Sequence, residues 1–459
     1  MFKRNNPSAT TSLQVDTKGR FFRVFISTPL LQHSSHLGQP VLGIDGTFFT
    51  STMYSGQMLT LNTRDGNGET LLLACAIVHV ENASNWHWFL QLCVKSGVSF
   101  KDNVVFMDRD KGSQAAVAAL IRSGTVMHPR FCTEHIIRNI IAAFKISTAD
   151  KQFPTLIRNL QGASTMAEHE KLLQMIGDAY GDEVIDYITS INARSWMLFP
   201  NMAVYALTDD NQRVDSLLES IEIMEDKEML HSMIGHPKKM FGCRDTNFVE
   251  SDNFQLKNDE IRQSEPMDAL VKITSKMGRQ AYQRSRNVEE FIRKGSIMTP
   301  FAEALYKEEV EAAEQCQIHH GTFVGDTIEK IVVEELWNTG MQYIVDVQAN
   351  TCTCVKFDQI GIPCRHYIQA LKEAQRPINV TQVIAKCYLV STYAEAFKSR
   401  KVEPTLLQFV SPLGNILPPP AYKKPAGRPP TRRIRSTGTA LTDSTRKPGK
   451  SCYFMHVLS

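Results

Sequence analysis

From Pro40 onward the apolar residues fall into short runs separated by turn-forming residues. Val41-Leu42-Gly43-Ile44-Asp45 is an apolar run closed by an acid, and 57–61 and 70–80 are two further runs of strand character. The last two are split by Asp65-Gly66-Asn67-Gly68, which is turn chemistry, so three successive strands with short connections are expected. The period then changes. Trp86, Phe89, Leu90 and Cys93 recur at helical spacing after the candidate caps Ser84 and Asn85. Residues 103–108 form a second apolar run ending in an acid, Asp108, followed by an alanine-rich helix from Gly112 to about Arg122. A fifth strand is expected over 126–131, leading into a helix through Cys132, His135, Ile136 and Asn139. The order is strand, strand, strand, helix, strand, helix, strand, helix.

Beyond this core pattern, 147–239 reads as helices with Trp196, Phe199 and Tyr205 as core candidates, and 246–256 and 303–315 as further helices. Residues 328–347 have the pattern of a hairpin around Asn338-Thr339-Gly340, and prolines dominate after about Val402. Before Pro40 only 20–26 has strand character. Hydrophobic residues make up 42% of the 459 and charged residues 22%, which excludes wholesale disorder and a fibrous architecture. No run approaches the roughly 18 uninterrupted apolar residues of a membrane span, and residues 1–11 lack an apolar signal core. A soluble, non-secreted protein in a reducing compartment is expected. Ten cysteines are too sparse for a disulfide scaffold, and three of them crowd between Cys352 and Cys364.

Asp45 and Asp108 each close an apolar strand, at the end where open sheets containing parallel pairs gather ligands. On neighbouring strands both carboxylates emerge at one rim, and such a pair persists mainly with a cation such as Mg²⁺ between them. Solvated loop acids or a helix cap are the alternative. A third segment changes the weighting. Thr246-Asn247-Phe248-Val249-Glu250-Ser251-Asp252-Asn253 resembles the helix that carries the last acid of Mutator-like (MULE) transposases. The resemblance extends back through Gly43-Ile44-Asp45-Gly46-Thr47-Phe48, Met107-Asp108-Arg109-Asp110-Lys111-Gly112 and Cys132-Thr133-Glu134-His135-Ile136-Ile137-Arg138-Asn139, covering about residues 20–265. It implies an RNase H-like fold in which Asp45, Asp108 and Glu250 form a DDE triad holding two Mg²⁺ or Mn²⁺ ions. Two metals about 3.5–4 Å apart can activate a water or a 3′-hydroxyl and stabilise the leaving oxygen at a phosphodiester. Asp110 would face the same way as Asp108 on an extended strand, and the family pattern favours Asp108. Asp252 reads as an ordinary exposed helix acid. Cys132 and His135, three apart, share a helix face and form an accessory site feature; two ligands do not complete a zinc site. Arg138 and Lys111 are candidates for phosphate contact.

Cys352-Thr353-Cys354 and Cys364-Arg365-His366 form a Cys-x-Cys, Cys-x-His array. Four soft or borderline ligands suit a closed, structural tetrahedral Zn²⁺. One residue within each pair fits a strand end and a helix start that meet at one ion. The array resembles the SWIM zinc finger, which commonly follows the catalytic domain in Mutator-like transposases and their domesticated relatives.

The formal net charge of +3 is unevenly placed, because residues 421–450 hold nine Lys or Arg against Asp443 alone. Within that stretch Lys424, Arg428, Arg432 and Arg433 lie in a segment resembling an AT-hook, with Ala426 where an arginine usually stands before the glycine. A nuclear-localisation signal or a solvated tail is the other reading; phosphate contact follows from any of these.

The expected architecture is therefore α/β: an RNase H-like mixed sheet with a helical insertion, followed by a small zinc-binding ββα module and a disordered basic tail. The expected divisions are a lead-in over 1–39, the transposase domain over 40–265 with its insertion at about 147–240, a helical connector over 266–327, the zinc module over 328–375 and the Pro-rich tail over 376–459. The resemblance implies a nuclear protein that homo-oligomerises on DNA, with no membrane partner, and that cuts and joins phosphodiesters. The alternative is a domesticated, catalytically silent DNA-binding regulator. Family members carry a longer amino-terminal DNA-binding region than the roughly 40 residues preceding Asp45.

Overall fold

The computed structural model describes residues 1–51, 54–202, 238–324, 327–337 and 340–405, with isolated positions between 224 and 229. Tyr205, the turn residues Asn338 and Thr339, and the tail arginines and lysine Lys424, Arg428, Arg432 and Arg433 lie outside the described residues.

Seven strands form the main sheet: β1 (Thr11–Val15), β2 (Phe21–Ser27), β3 (Val41–Phe48), β4 (Gln57–Arg64), β5 (Thr70–Val78), β6 (Val104–Met107) and β7 (His128–Phe131), in the order β1-β2-β5-β4-β3-β6-β7. The β1–β2, β2–β5, β5–β4 and β4–β3 pairs are antiparallel, whereas β3–β6 and β6–β7 are parallel. Local chemistry explains the switch. Asp65 Oδ1 accepts from Asn67 N at 2.9 Å and Glu69 N at 3.0 Å, closing the tight turn that an antiparallel pair permits. A parallel strand needs a crossover, and the helices α3 (Ala83–Lys95) and α4 (Lys111–Arg122), which follow α1 (Phe2–Asn5) and α2 (Leu31–Leu37), supply it before β6 and β7. The strands β4 and β5 are almost wholly buried, so their sequence reads as continuous rather than alternating apolar residues.

Several expectations need correction. The cap of α3 is Asn82, whose side chain accepts from Asn85 N; Asn85 itself is buried in the first turn and donates to Val80 O. Residues 1–39 are more than a lead-in, because β1 and β2 extend the main sheet. After α5 (Thr133–Ala143), α6 (Gln152–Gly162), α7 (Met166–Tyr180), α8 (Asp182–Thr189) and α9 (Asn247–Asn258), the stretch expected to be a helical connector holds α10 (Pro266–Arg293) and α11 (Pro300–Ala313) and then a strand, β8 (Cys316–Val324). That strand joins β9 (Thr327–Glu335), β10 (Gln342–Asp346) and β11 (Thr351–Cys352) in a four-stranded antiparallel sheet ordered β11-β10-β9-β8, where two strands were expected. The helices α12 (Val355–Ile360) and α13 (Arg365–Glu373) complete this small module.

The expected tail also begins as structure. After α14 (Val380–Val383), α15 (Val390–Phe397) packs on α10 and α2, with Val390, Tyr393, Ala396 and Phe397 buried in the main core. Asn6 then clasps Glu403 through two backbone bonds of 2.9 Å. Two ion pairs, Lys276–Asp252 and Arg284–Asp65, each 2.8 Å and almost fully buried, tie α10 to α9 and to the β4–β5 turn. Asp252 is thus a buried, paired acid rather than an exposed one. Among the described residues no helix is long and apolar enough to cross a membrane.

Candidate acidic centre and thiol site

Parallel pairing sets the acidic centre. Val41, Leu42 and Gly43 stand opposite Val104, Val105 and Phe106, and the same offset brings Asp45, on β3, level with Asp108, just past the end of β6. Glu250 arrives from the first turn of α9, about two hundred residues later in the chain. The approach of that helix explains Gly43: a Cβ there would lie 2.2 Å from Val249 Cγ2 and 2.6 Å from Phe248 Cζ. One turn along α9, Asn253 donates its Nδ2 hydrogen to Asp45 Oδ2 at 2.6 Å, and Gly46 N donates to Asp45 Oδ1 at 2.9 Å. Burial, followed by the charges of Glu250 and Glu81 and more weakly Asp108, pushes the Asp45 carboxyl up to about 7.

His135 and Arg138, on one face of α5, complete the rim. His135 Nε2 lies 3.6 Å from Asp108 Oδ2 and 4.0 Å from Glu250 Oε1, so one imidazole stands between the two carboxylates. Arg138 Nη2 donates to both oxygens of Glu250, at 3.1 and 3.2 Å. Cys132 does something different. Its buried sulfur accepts from Thr246 N at 3.3 Å and Thr246 Oγ1 at 3.2 Å, fixing the start of α9, and burial pushes the thiol up to about 12. Ligand atoms of Cys132, His135 and Glu250 fall within 4.8 Å of one another, one short of a closed zinc shell.

Two acids were misjudged or missed from sequence. Asp110 does not share the face of Asp108: it is the N-cap of α4, accepting from Gly112 N at 2.8 Å and Ser113 N at 3.0 Å. Glu81 sits beyond β5 with its carboxylate against Gly46, where a Cβ would meet Oε1 at 2.5 Å. It accepts from Trp86 Nε1 at 3.1 Å and Gln57 Nε2 at 3.4 Å, and burial together with Asp110 and Asp108 pushes its carboxyl up. A single acid before a helix has no spacing signature. Only the fold puts it beside Asp45.

The thiol site is compact and closed. Cys352 ends β11, Cys354 caps α12, Cys364 caps α13 and His366 is the second residue of α13. Their four ligand atoms lie within 4.8 Å of one another and all four residues are buried. Three thiols and an imidazole are the donor set of a structural zinc ion. The thiols Cys352 and Cys364 hold the Cys354 thiol well below its ordinary value. Outside this cluster Glu309 of α11 accepts from Lys356 and, at 2.9–3.0 Å, from Arg365 N, Nε and Nη2. Burial works against that carboxylate, but these bonds outweigh it and hold the pKa at about 2.

A profile of the MULE transposase domain matches residues 41–139, and one of the SWIM zinc finger matches residues 343–371. Protein FAR1-RELATED SEQUENCE 6 of Arabidopsis thaliana is 25% identical over 135 residues, which are 29% of this chain. The matched region spans 18% of that relative's length. The first profile contains Asp45, Asp108, Cys132 and His135, and the second contains all four residues of the thiol site. The chain therefore carries a MULE transposase domain and a zinc-binding SWIM finger, and is a transposase-derived protein.

Proposed function

We propose that the chain is a DNA-cleaving and DNA-joining enzyme whose DDE centre, Asp45, Asp108 and Glu250, stands on an RNase H-like sheet and holds Mg²⁺ or Mn²⁺. The observation that carries this reading is the convergence of the three acids. Asp45 is level with Asp108 across a parallel strand pair, and Glu250 meets Asp108 through His135. The donor set fits hard divalent cations. The carboxylates are oxygen ligands, and Asp45 is held near half-protonation by its own neighbours, the signature of a cluster short of positive charge. When bound, such ions supply Lewis-acid activation of the attacking hydroxyl and charge stabilisation of the leaving oxygen.

The chain's own residues do the rest. Asp45, Asp108 and Glu250 bind, and Asn253 orients Asp45 by holding one of its oxygens. Cys132 and Thr246 fix the helix that presents Glu250. His135 stands where it can hold or pass a proton at Nε2 between Asp108 and Glu250. The zinc finger is structural, the basic segment with Lys424, Arg428, Arg432 and Arg433 adds phosphate contact, and the protein works in the nucleus as an oligomer on DNA.

A second reading, a non-cleaving DNA-binding regulator, is favoured by one contact: Arg138 occupies both oxygens of Glu250. Short duplexes separate the two. With Mg²⁺ or Mn²⁺ the purified chain should nick DNA, and Asp45→Ala, Asp108→Ala and Glu250→Ala should each remove that activity. Retained DNA binding with no metal-dependent nicking supports the regulator.

A further inference from the structure

The zinc-binding histidine has a partner that the Cys-x-Cys, Cys-x-His pattern does not contain. His366 turns Nδ1 toward the sulfurs, 3.8 Å from Cys352 Sγ, and Nε2 away from them, 3.2 Å from Glu335 Oε1. Both residues are buried, His366 at 3% exposure and Glu335 at 9%. Tyr343 stacks on the imidazole with ring centroids 4.0 Å apart and planes 19° apart, so the ring cannot turn over without displacing the tyrosine. Glu335 is the last residue of β9, and the other charged group beside it is Arg365, at 3.9 Å and committed to Glu309 by shorter bonds.

We propose that Glu335 is the positioning residue of the zinc site: it accepts the Nε2 hydrogen of His366 and so fixes the tautomer that offers Nδ1 to the metal. A neutral imidazole has one N–H and one lone pair, and a ligating nitrogen needs the lone pair. With Nδ1 facing the thiolates the hydrogen must sit on Nε2. Left without an acceptor in this buried position, that N–H would cost about 1–3 kcal/mol. A carboxylate acceptor also raises the basicity of the ligating nitrogen, as outer partners of zinc-bound histidines do. The second consequence is architectural. Glu335 belongs to β9 and His366 to α13, so the bond joins the sheet of the module to its helix at the metal itself. The proposal rests on the zinc site alone and is independent of the acidic centre.

The test uses the full zinc-loaded chain. Long-range proton–nitrogen correlation on histidine-labelled protein should show His366 with hydrogen on Nε2 and metal on Nδ1; metal on Nε2 overturns the proposal. In chelator competition Glu335→Leu should weaken zinc binding by about 10–100-fold, the range typical of lost outer partners. Glu335→Gln, whose amide oxygen still accepts, should stay within a few-fold of the parent and keep the tautomer. Unchanged affinity in Glu335→Leu overturns the assignment, as does a Glu335→Gln variant that falls as far as Glu335→Leu. If Glu335→Leu does not fold, the tautomer of the parent and the affinity of Glu335→Gln decide. Total metal content, measured separately, reports whether the parent holds zinc at all.

Discussion

The two metal-binding constellations are opposite solutions to the same problem. The thiol site draws its four ligands from residues 352–366, buries all of them and closes its shell with protein atoms. The acidic centre collects Asp45, Asp108 and Glu250 from across the chain and leaves them half-buried at a sheet rim, where Glu81 adds a fourth carboxylate. In the first, donors that neutralise one ion build a module. In the second, like charges are held together by a sheet and two buried ion pairs that exist without any ion, Lys276–Asp252 and Arg284–Asp65. The difference predicts that metal removal unfolds the small module and relieves nothing there, whereas the acidic centre stays folded and strained.

The largest effect expected is at the thiol site. Cys364→Ser, or chelation of zinc, should release the metal and unfold β9–β11 with α12 and α13, because binding and folding are linked. Metal analysis and limited proteolysis read this directly, and survival of the module without zinc would break the contrast. Next comes Asp45→Asn. The folded Asp45 carboxyl is raised from its ordinary 3.8 to about 7, so the native state binds the extra proton and the metal-free fold loses stability as pH rises between those values. Removing the charge should therefore stabilise the metal-free chain at pH 8, on the order of 2 kcal/mol, while Mn²⁺ binding disappears. Thermal melts with and without Mn²⁺ check both; a destabilised Asp45→Asn variant at pH 8 would contradict the strain.

Glu309 carries the opposite sign. Its pKa falls from 4.5 to about 2, so its contribution is complete above about 4.5 and is lost as pH drops toward 2. Glu309→Gln should loosen the docking of α11 on Lys356 and Arg365 at neutral pH and flatten the acid limb of the melting curve, visible as faster amide exchange in α13. Glu81→Gln should lower the pKa of Asp45, seen as a divalent-ion affinity that depends less on pH between 6 and 8. The smallest effect is at Arg138. An exposed pair is worth about 0–1 kcal/mol, so Arg138→Ala should leave stability nearly unchanged and raise metal affinity only a few-fold by freeing Glu250.

What the sequence made legible follows the same divide. The Cys-x-Cys, Cys-x-His array could be read because its ligands are local, and the element order around Asp45 and Asp108 because apolar runs ending in acids survive as a pattern. The parallel pairing that brings those acids level was inferred only as a condition, since pairing is not written in either strand. Glu81, Asn253 and Glu335 were invisible for the same reason: each meets its partner through tertiary structure, not through spacing. Asp110 misled because a strand period was extended past Met107, where the chain turns to cap a helix. Asp252 misled because its counter-ion, Lys276, lies on another helix. The strand Cys316–Val324 and the helix Val390–Phe397 were hidden by composition, the one beside charged helices and the other ahead of a proline-rich stretch.

The central claim is that Asp45, Asp108 and Glu250 jointly hold divalent cations. Anomalous diffraction from crystals of the full chain soaked in Mn²⁺ tests it most directly. The account predicts manganese peaks bounded by all three carboxylates, with the Arg138 guanidinium displaced from Glu250; a map without manganese there, or with a peak that Glu250 does not touch, would contradict it.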